Sequence, residues 1–182
     1  ILPVSMELKN EHRKLRSNLS IVMDRSGSMG MTVKGGKTKM ELANEGAAQT
    51  VELLGAMDSV SILAVDTSAH VIVPQTMLKD SGDIISQARR VRSQGGGIYV
   101  YTGLEESYRQ LEVTEGQKHV ILFSDAQDSE EPGRYKELLA DMEDEGMTVS
   151  VIALGARGDS DAPFLIDIAN RGRGRIFFTD DP

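Results

Sequence analysis

Asp24, Ser26 and Ser28 stand at alternate positions directly after the apolar run from Leu19 to Met23. In a locally extended loop, alternate side chains turn the same way, so one carboxylate and two hydroxyls converge. All three are hard oxygen donors. Such donors suit Mg²⁺, Mn²⁺ or Ca²⁺ rather than Zn²⁺ or Cu²⁺. Hydroxyl ligands are neutral, so a cation held by them keeps much of its charge and seeks an anionic oxygen from outside. Gly27 lets the backbone bend close to a bound group. A second apolar run, His119 to Phe123, leads through Ser124 to Asp125-Ala126-Gln127-Asp128. Taken singly, Asp24 or Asp125 reads as a helix cap or loop-ordering carboxylate, because Asp is common after strands. Together with Ser26 and Ser28 they favour a cation site.

The elements that must position these residues are legible as short apolar runs bounded by turn residues. Leu19 to Met23, Val60 to Val65, Ala69 to Val73, His119 to Phe123, Thr148 to Leu154 and Arg175 to Phe178 read as strands. Between them, Met40, Ala43, Ala47, Val51 and Leu54 share one helical face. Further helical patterns run through Ile84, Ala88 and Val91, through Leu104, Tyr108 and Leu111, through Tyr135 to Met142, and through Leu165 to Ala169. Alternating strands and helices predict an α/β fold, a mostly parallel sheet covered on both faces. Only Asp66, Thr67 and Ser68 separate the second and third strands. That is hairpin length, so one edge strand is antiparallel. Open parallel sheets bind ligands at the carboxyl ends of their strands, near the switch in strand order. Asp24 and Asp125 both stand at such ends.

At this point the sequence resembles the von Willebrand factor type A (vWA) domain, in its bacterial branch. The residues that carry the resemblance are Asp24-Arg25-Ser26-Gly27-Ser28-Met29 after a buried strand, with Asp125 after a later one. It covers about Ser17 to Phe178. It implies a doubly wound, Rossmann-like sheet of six strands with one antiparallel edge strand. It also implies a metal ion-dependent adhesion site (MIDAS). In that site Asp24, Ser26 and Ser28 form the core, and Asp125 binds directly or through water. The open vertex accepts a carboxylate from a protein partner. One element departs from the family pattern. Ile98 stands where a Thr ligand is expected, and Thr102 is the nearest hydroxyl. Thr102-Gly103-Leu104-Glu105 is also a capping-box pattern, so helix capping competes with a metal contact for Thr102. Tyr99 and Tyr101 are further residues within reach of the site.

Other chemistries find less support. The loop Gly30 to Thr38 lies between strand and helix and invites a nucleotide-binding reading through Lys37 and Thr38. The phosphate-binding pattern, however, needs Gly where Met31 stands. Asp66-Thr67-Ser68 resembles an aspartic-protease segment, but its setting predicts a hairpin turn. There is no Gly-x-Ser-x-Gly elbow. His119 reads as a packing residue, and Arg171 to Arg175 as a helix end, a glycine stop and a strand start. Asp161 reads as an N-cap ahead of Pro163. Asp128, Glu130 and Glu131 read as a solvated helix start. Met29 and Met31 are candidates for an apolar rim beside the metal.

The chain has 182 residues, 28 acidic and 20 basic side chains, and a net charge of −8. That length supports one domain, 1–182, with residues 1–17 as an N-terminal extension. Starting at Ile1, it reads as part of a larger protein. The acidic balance disfavours nucleic acid and anionic membranes. Cysteine is absent, which excludes disulfides, thiolate zinc sites and cysteine nucleophiles. The expected function is non-enzymatic. A monomeric module binds Mg²⁺, Mn²⁺ or Ca²⁺ and, through it, a protein ligand presenting Asp or Glu. Any membrane attachment would lie outside this segment, in a bacterial cell-envelope protein. The alternatives are a metal-free scaffold and a nucleotide-binding enzyme using Lys37 and Thr38.

Overall fold

The computed structural model describes residues 15–126 and 133–180. Among these residues, strands β1 (Ser17–Asp24), β2 (Ser59–Val65), β3 (Ala69–Met77), β4 (Gln117–Ser124), β5 (Met147–Ala153) and β6 (Arg173–Phe178) form one sheet. Helices α1 (Lys39–Glu52), α2 (Ser81–Arg89), α3 (Val100–Glu112), α4 (Tyr135–Asp144) and α5 (Ala162–Arg171) connect them. The strand order is β3-β2-β1-β4-β5-β6. The β2–β3 pair is antiparallel, and the other neighbours are parallel. This is the mostly parallel sheet that the alternation of apolar runs predicts, with the doubly wound order that the family resemblance implies.

Strand alternation sorts the core into two layers. Leu19, Ile21 and Met23 of β1 face α1 and α2, meeting Met40, Ala43, Ala47, Ile84 and Ala88. Val22 faces the other side with Leu63 and Val65, against Leu104 of α3, Leu139 of α4 and Ile168 of α5. Each fully buried Leu or Ile stabilises the fold by roughly 1.5–3 kcal/mol relative to exposure. β1 lies at the centre of the sheet, and seven of its eight residues are buried.

α3 lies unusually close to the sheet. A Cβ on Gly103 would stand 2.7 Å from Val65 Cγ2 and 2.9 Å from Val22 Cγ1, so only glycine allows this approach. One turn further on, Ser107 joins a buried hydroxyl chain. Ser61 Oγ donates to Ser20 Oγ at 2.8 Å, and Ser20 Oγ donates to Ser107 Oγ at 3.0 Å. Each of the three hydroxyls thus has a partner inside the layer.

Several local expectations change. α3 begins at Val100 rather than beyond Thr102, and its N-cap is Tyr99 with no side-chain cap. The reason is packing, since Ile98 and Val100 are needed in the core. Asp161 does occupy the N-cap position of α5, with Pro163 in the first turn, but its side chain caps nothing. The Asp66–Ser68 hairpin forms as expected, with the Ser68 N–H donating to Asp66 Oδ1 at 2.9 Å. His119 is a packing residue, and its Nδ1 lies 2.5 Å from Thr148 Oγ1 on β5.

Candidate metal centre

β1 and β4 are the two central strands, and the strand order reverses between them. Their carboxyl ends open a crevice at the point where such sheets bind ligands. Met23 pairs with Phe123, so Asp24 and Ser124 emerge side by side. Ser124 Oγ donates to Asp24 Oδ2 at 2.5 Å. The backbone N–H and the hydroxyl of Ser26 both donate to Asp24 Oδ1, at 2.8 and 2.6 Å.

The chain then tightens into a 3-10 turn over Gly27–Gly30 instead of staying extended. The Met29 N–H donates to the Ser26 carbonyl at 3.1 Å, and the Met31 N–H to that of Ser28 at 3.0 Å. The turn still aims Ser28 at the same point. Its Oγ lies 3.3 Å from Ser26 Oγ and donates to Asp125 Oδ1 at 2.9 Å. Asp24 and Ser26 are wholly buried, and Ser28 and Asp125 nearly so. Two carboxylates and two hydroxyls, from positions 24 to 125, therefore converge in one buried cluster.

The segment after α2 crosses over this end of the sheet and braces the turn. The Gln94 N–H donates to the Arg25 carbonyl at 2.9 Å, and the Gly27 N–H to that of Gly96 at 3.0 Å. A Cβ on Gly27 would lie 3.4 Å from Gly95 Cα. Gly27 is absent from the left-handed glycines, so its role here is close packing of two loops and not a special bend.

The von Willebrand factor type A domain model matches residues 19–127, which include Asp24, Ser26, Ser28 and Asp125. The chain belongs to the vWA family. Three comparisons set its surroundings. An uncharacterized protein of Synechocystis is 23% identical over 185 residues, and this chain spans 42% of its length. BatB of Bacteroides thetaiotaomicron superposes with a TM-score of 0.76 at 19% identity, covering 91% of each chain. Proximal thread matrix protein 1 of the mussel byssus, with a zinc-occupied MIDAS motif, gives 0.71 at 17% identity. That overlap covers 90% of this chain and 41% of the mussel chain. The structural likenesses establish the vWA fold. vWA domains are generally non-enzymatic modules that bind protein partners.

Oxygen chemistry decides what this vWA cluster suits. Among the described residues, no three His, Cys, Asp or Glu side chains gather as a metal-binding group. Any cation here must therefore take hydroxyl oxygens as well as carboxylates. Ser26 and Ser28 each direct a proton at a carboxylate, so both hydroxyl oxygens stand beside the two negative charges, and a hydroxyl oxygen is a neutral acceptor suited to a cation. The donor set fits a small hard ion.

Electrostatics point the same way. Burial pushes the Asp24 carboxyl up from 3.8 to about 6, against the pull of hydrogen bonds from Ser124 and Ser26. The Asp125 charge adds to the rise. A bound cation reverses that balance, because opposite charge favours ionisation. Lys39, the first residue of α1, places Nζ 2.7 Å from Asp125 Oδ2. Beside the site, Asp66 accepts from Arg25 Nε at 2.9 Å and lies 3.1 Å from His70 Nε2. Burial alone would raise Asp66, but the Ser68 N–H, Arg25 and His70 outweigh it and hold the carboxyl below its usual value.

The remaining sequence candidates fall elsewhere. Thr102 Oγ1 donates to the Tyr99 carbonyl within its own helix at 2.8 Å, so it neither caps α3 nor joins the cluster's hydrogen bonds. Ile98 is wholly buried among Val22, Val65 and Leu104. Tyr101 packs on the same core layer and against Gly133. Met29 is a core residue rather than a rim, whereas Met31 is exposed. The loop 31–38 closes as a small hairpin. The Val33 N–H donates to the Lys37 carbonyl, and the Lys39 N–H to that of Met31. Thr38 and Glu41 make a capping box for α1. The amides of Val33, Gly36 and Lys39 and the Thr38 hydroxyl thus serve the hairpin and the cap of α1. Gln127, Asp128, Glu130 and Glu131 lie outside the described residues.

Two members of the site escaped the sequence reading. Ser124 orders Asp24 and also accepts from the Ala126 N–H at 2.9 Å. Ala126 itself is left-handed, with φ 54°, a strained conformation at the site's edge. The other is Lys39. A lysine in the first turn of a helix opposes the helix dipole, and that mismatch was the available signal.

Proposed function

We propose that this vWA domain is a divalent-cation-dependent protein-binding module. Asp24, Ser26, Ser28 and Asp125 would hold Mg²⁺, Mn²⁺ or Ca²⁺. The observation that carries the reading is the convergence of these four side chains at the switch point between β1 and β4. When bound, the cation supplies a Lewis-acidic vertex for an Asp or Glu side chain of a partner. Asp24 and Ser124 orient the turn, and burial excludes competing water. Thr102 could contribute only by turning its hydroxyl away from the Tyr99 carbonyl. The zinc-occupied MIDAS motif of the mussel protein supports a cation in this fold. The all-oxygen donor set here favours harder ions than zinc.

The domain, residues 1–182, would act as a monomer within a longer bacterial cell-envelope protein. Similarity to BatB and to an aerotolerance-related membrane protein of Bacteroides fragilis supports that setting. Among the described residues, no helix is long and apolar enough to cross a membrane. A second reading, a metal-free scaffold, is favoured by the Lys39–Asp125 pair and by Ile98 at the expected Thr position.

Thermal melts separate the two. A cation at a hundred times its Kd stabilises by about 2.7 kcal/mol through mass action. The melting temperature should therefore rise with millimolar Mg²⁺, Mn²⁺ or Ca²⁺, and Asp24→Ala should abolish the rise. No rise with any of the three leaves the scaffold reading in place.

A further inference from the structure

Lys39 is a basic side chain that reaches into the cluster. Its ammonium and the Asp125 carboxylate are both largely withdrawn from water, at 13% and 4% exposure. Asp125 Oδ1 accepts from Ser28 Oγ, and Oδ2 from Lys39 Nζ. The lysine thus neutralises one of the two buried negative charges that a divalent ion would use. It does so from the first turn of α1, where the helix dipole works against it. Sequence context does not require a cation there. The cap of α1 is complete without it, through Thr38 and Glu41.

We propose that Lys39 is a tethered cation of the metal centre, bound to Asp125 when the site is metal-free and displaced when a divalent ion binds. The inference rests on the metal-centre reading and names its regulation. A divalent ion and the ammonium compete for one carboxylate, so Lys39 weakens metal affinity while preserving the empty site. Without some positive charge, two buried carboxylates would repel each other and loosen the cluster. The lysine's stem is flexible and its charge compact, so Nζ can swing to solvent while the backbone of α1 stays fixed. The Lys39 N–H to Met31 carbonyl bond, 3.0 Å, and the Thr38–Glu41 cap do not involve Nζ. Metal occupancy then frees a charged side chain at the rim, beside the exposed Met31, where a partner would dock.

The test is calorimetric titration of Mg²⁺ and Mn²⁺ into the wild-type chain, Lys39→Met, Lys39→Arg and Lys37→Met at low ionic strength. Lys37 is an exposed lysine of the neighbouring hairpin and controls for general charge. Lys39→Met should bind about tenfold tighter or better, the scale of losing a partly buried competitor. Lys39→Arg and Lys37→Met should stay within about threefold of wild type. In chelator, Lys39→Met should melt below wild type and gain more on metal addition. Lys39→Ala replaces Lys39→Met if the latter does not fold. Equal or weaker metal affinity in the uncharged variants, with wild type binding normally, overturns the inference alone. Binding by Lys39→Met but not by wild type supports it and shows the lysine locking the site. Binding by neither removes the inference and the metal-centre reading together.

Discussion

Asp24→Asn isolates the energetic tension at the centre of the site. Asp24 is wholly buried, and burial raises its carboxyl from 3.8 to about 6. The folded protein therefore binds a proton here more readily than the unfolded chain. A raised acid contributes stability below pH 3.8, and that stability is lost as pH rises through about 6. The difference of about two pKa units corresponds to roughly 3 kcal/mol at neutral pH, as an order of magnitude. Asn is nearly isosteric and keeps an oxygen to accept from Ser26, but carries no charge to desolvate. In urea titrations with chelator present, Asp24→Asn should gain on wild type as pH rises from 4 to 7.5. The gain should plateau at neutral pH, at up to about 3 kcal/mol. Comparing the two proteins at each pH cancels the titration of other carboxylates, including Asp66. Millimolar Mg²⁺ should reverse the order, stabilising wild type and leaving the variant unmoved. A stability difference that stays constant across this pH range, or that favours wild type in chelator at pH 7.5, refutes the claim that Asp24 is held ionised at a cost.

Two further outcomes test the scaffold. Gly103→Ala should destabilise by about 1–3 kcal/mol in urea titration, because its methyl group meets Val65 Cγ2 at 2.7 Å and forces α3 off the sheet. Burial lowers the His119 imidazole below 6.5, so its contribution is present above pH 6.5 and lost as pH falls through the depressed value. In an NMR titration, His119 should titrate below pH 6.5, and His119→Gln should flatten that part of the acid loss.

What the sequence discloses follows from which contacts are local. Asp24, Ser26 and Ser28 sit within five residues, so their convergence is written in their spacing even though the turn is 3-10 and not extended. The strands were legible because buried parallel strands need continuous apolar runs, as Leu19 to Met23 shows. Ser124 and Lys39 were not legible in this way. They meet their partners across 100 and 86 residues of chain. The Thr102 cap failed for a related reason. Thr102-Gly103-Leu104-Glu105 satisfies a local capping rule, but the core demands of Ile98 and Val100 start α3 earlier. Local chemistry proposed a boundary, and packing across the sheet moved it.

That distinction bears on why the site stands where it does. Parallel strands end together, so the two central ones deliver Asp24 and Asp125 to one crevice without a dedicated loop between them. Their closeness is an electrostatic liability, since the Asp125 charge adds to the cost of ionising the buried Asp24. The structure offsets it with neutral donors, the hydroxyls of Ser26, Ser28 and Ser124, and with a single ammonium from Lys39. Hydroxyls settle a carboxylate without cancelling its charge, so the cluster retains a demand for a cation that the lysine meets only on the Asp125 side. Among the described residues, the hydrogen-bond donors to Asp24 are the hydroxyls of Ser26 and Ser124 and the Ser26 amide. A divalent ion is the guest that would satisfy both carboxylates at once. The net charge of −8 is no guide to this demand, because most of the described acidic residues are exposed to water, where the same charge costs little.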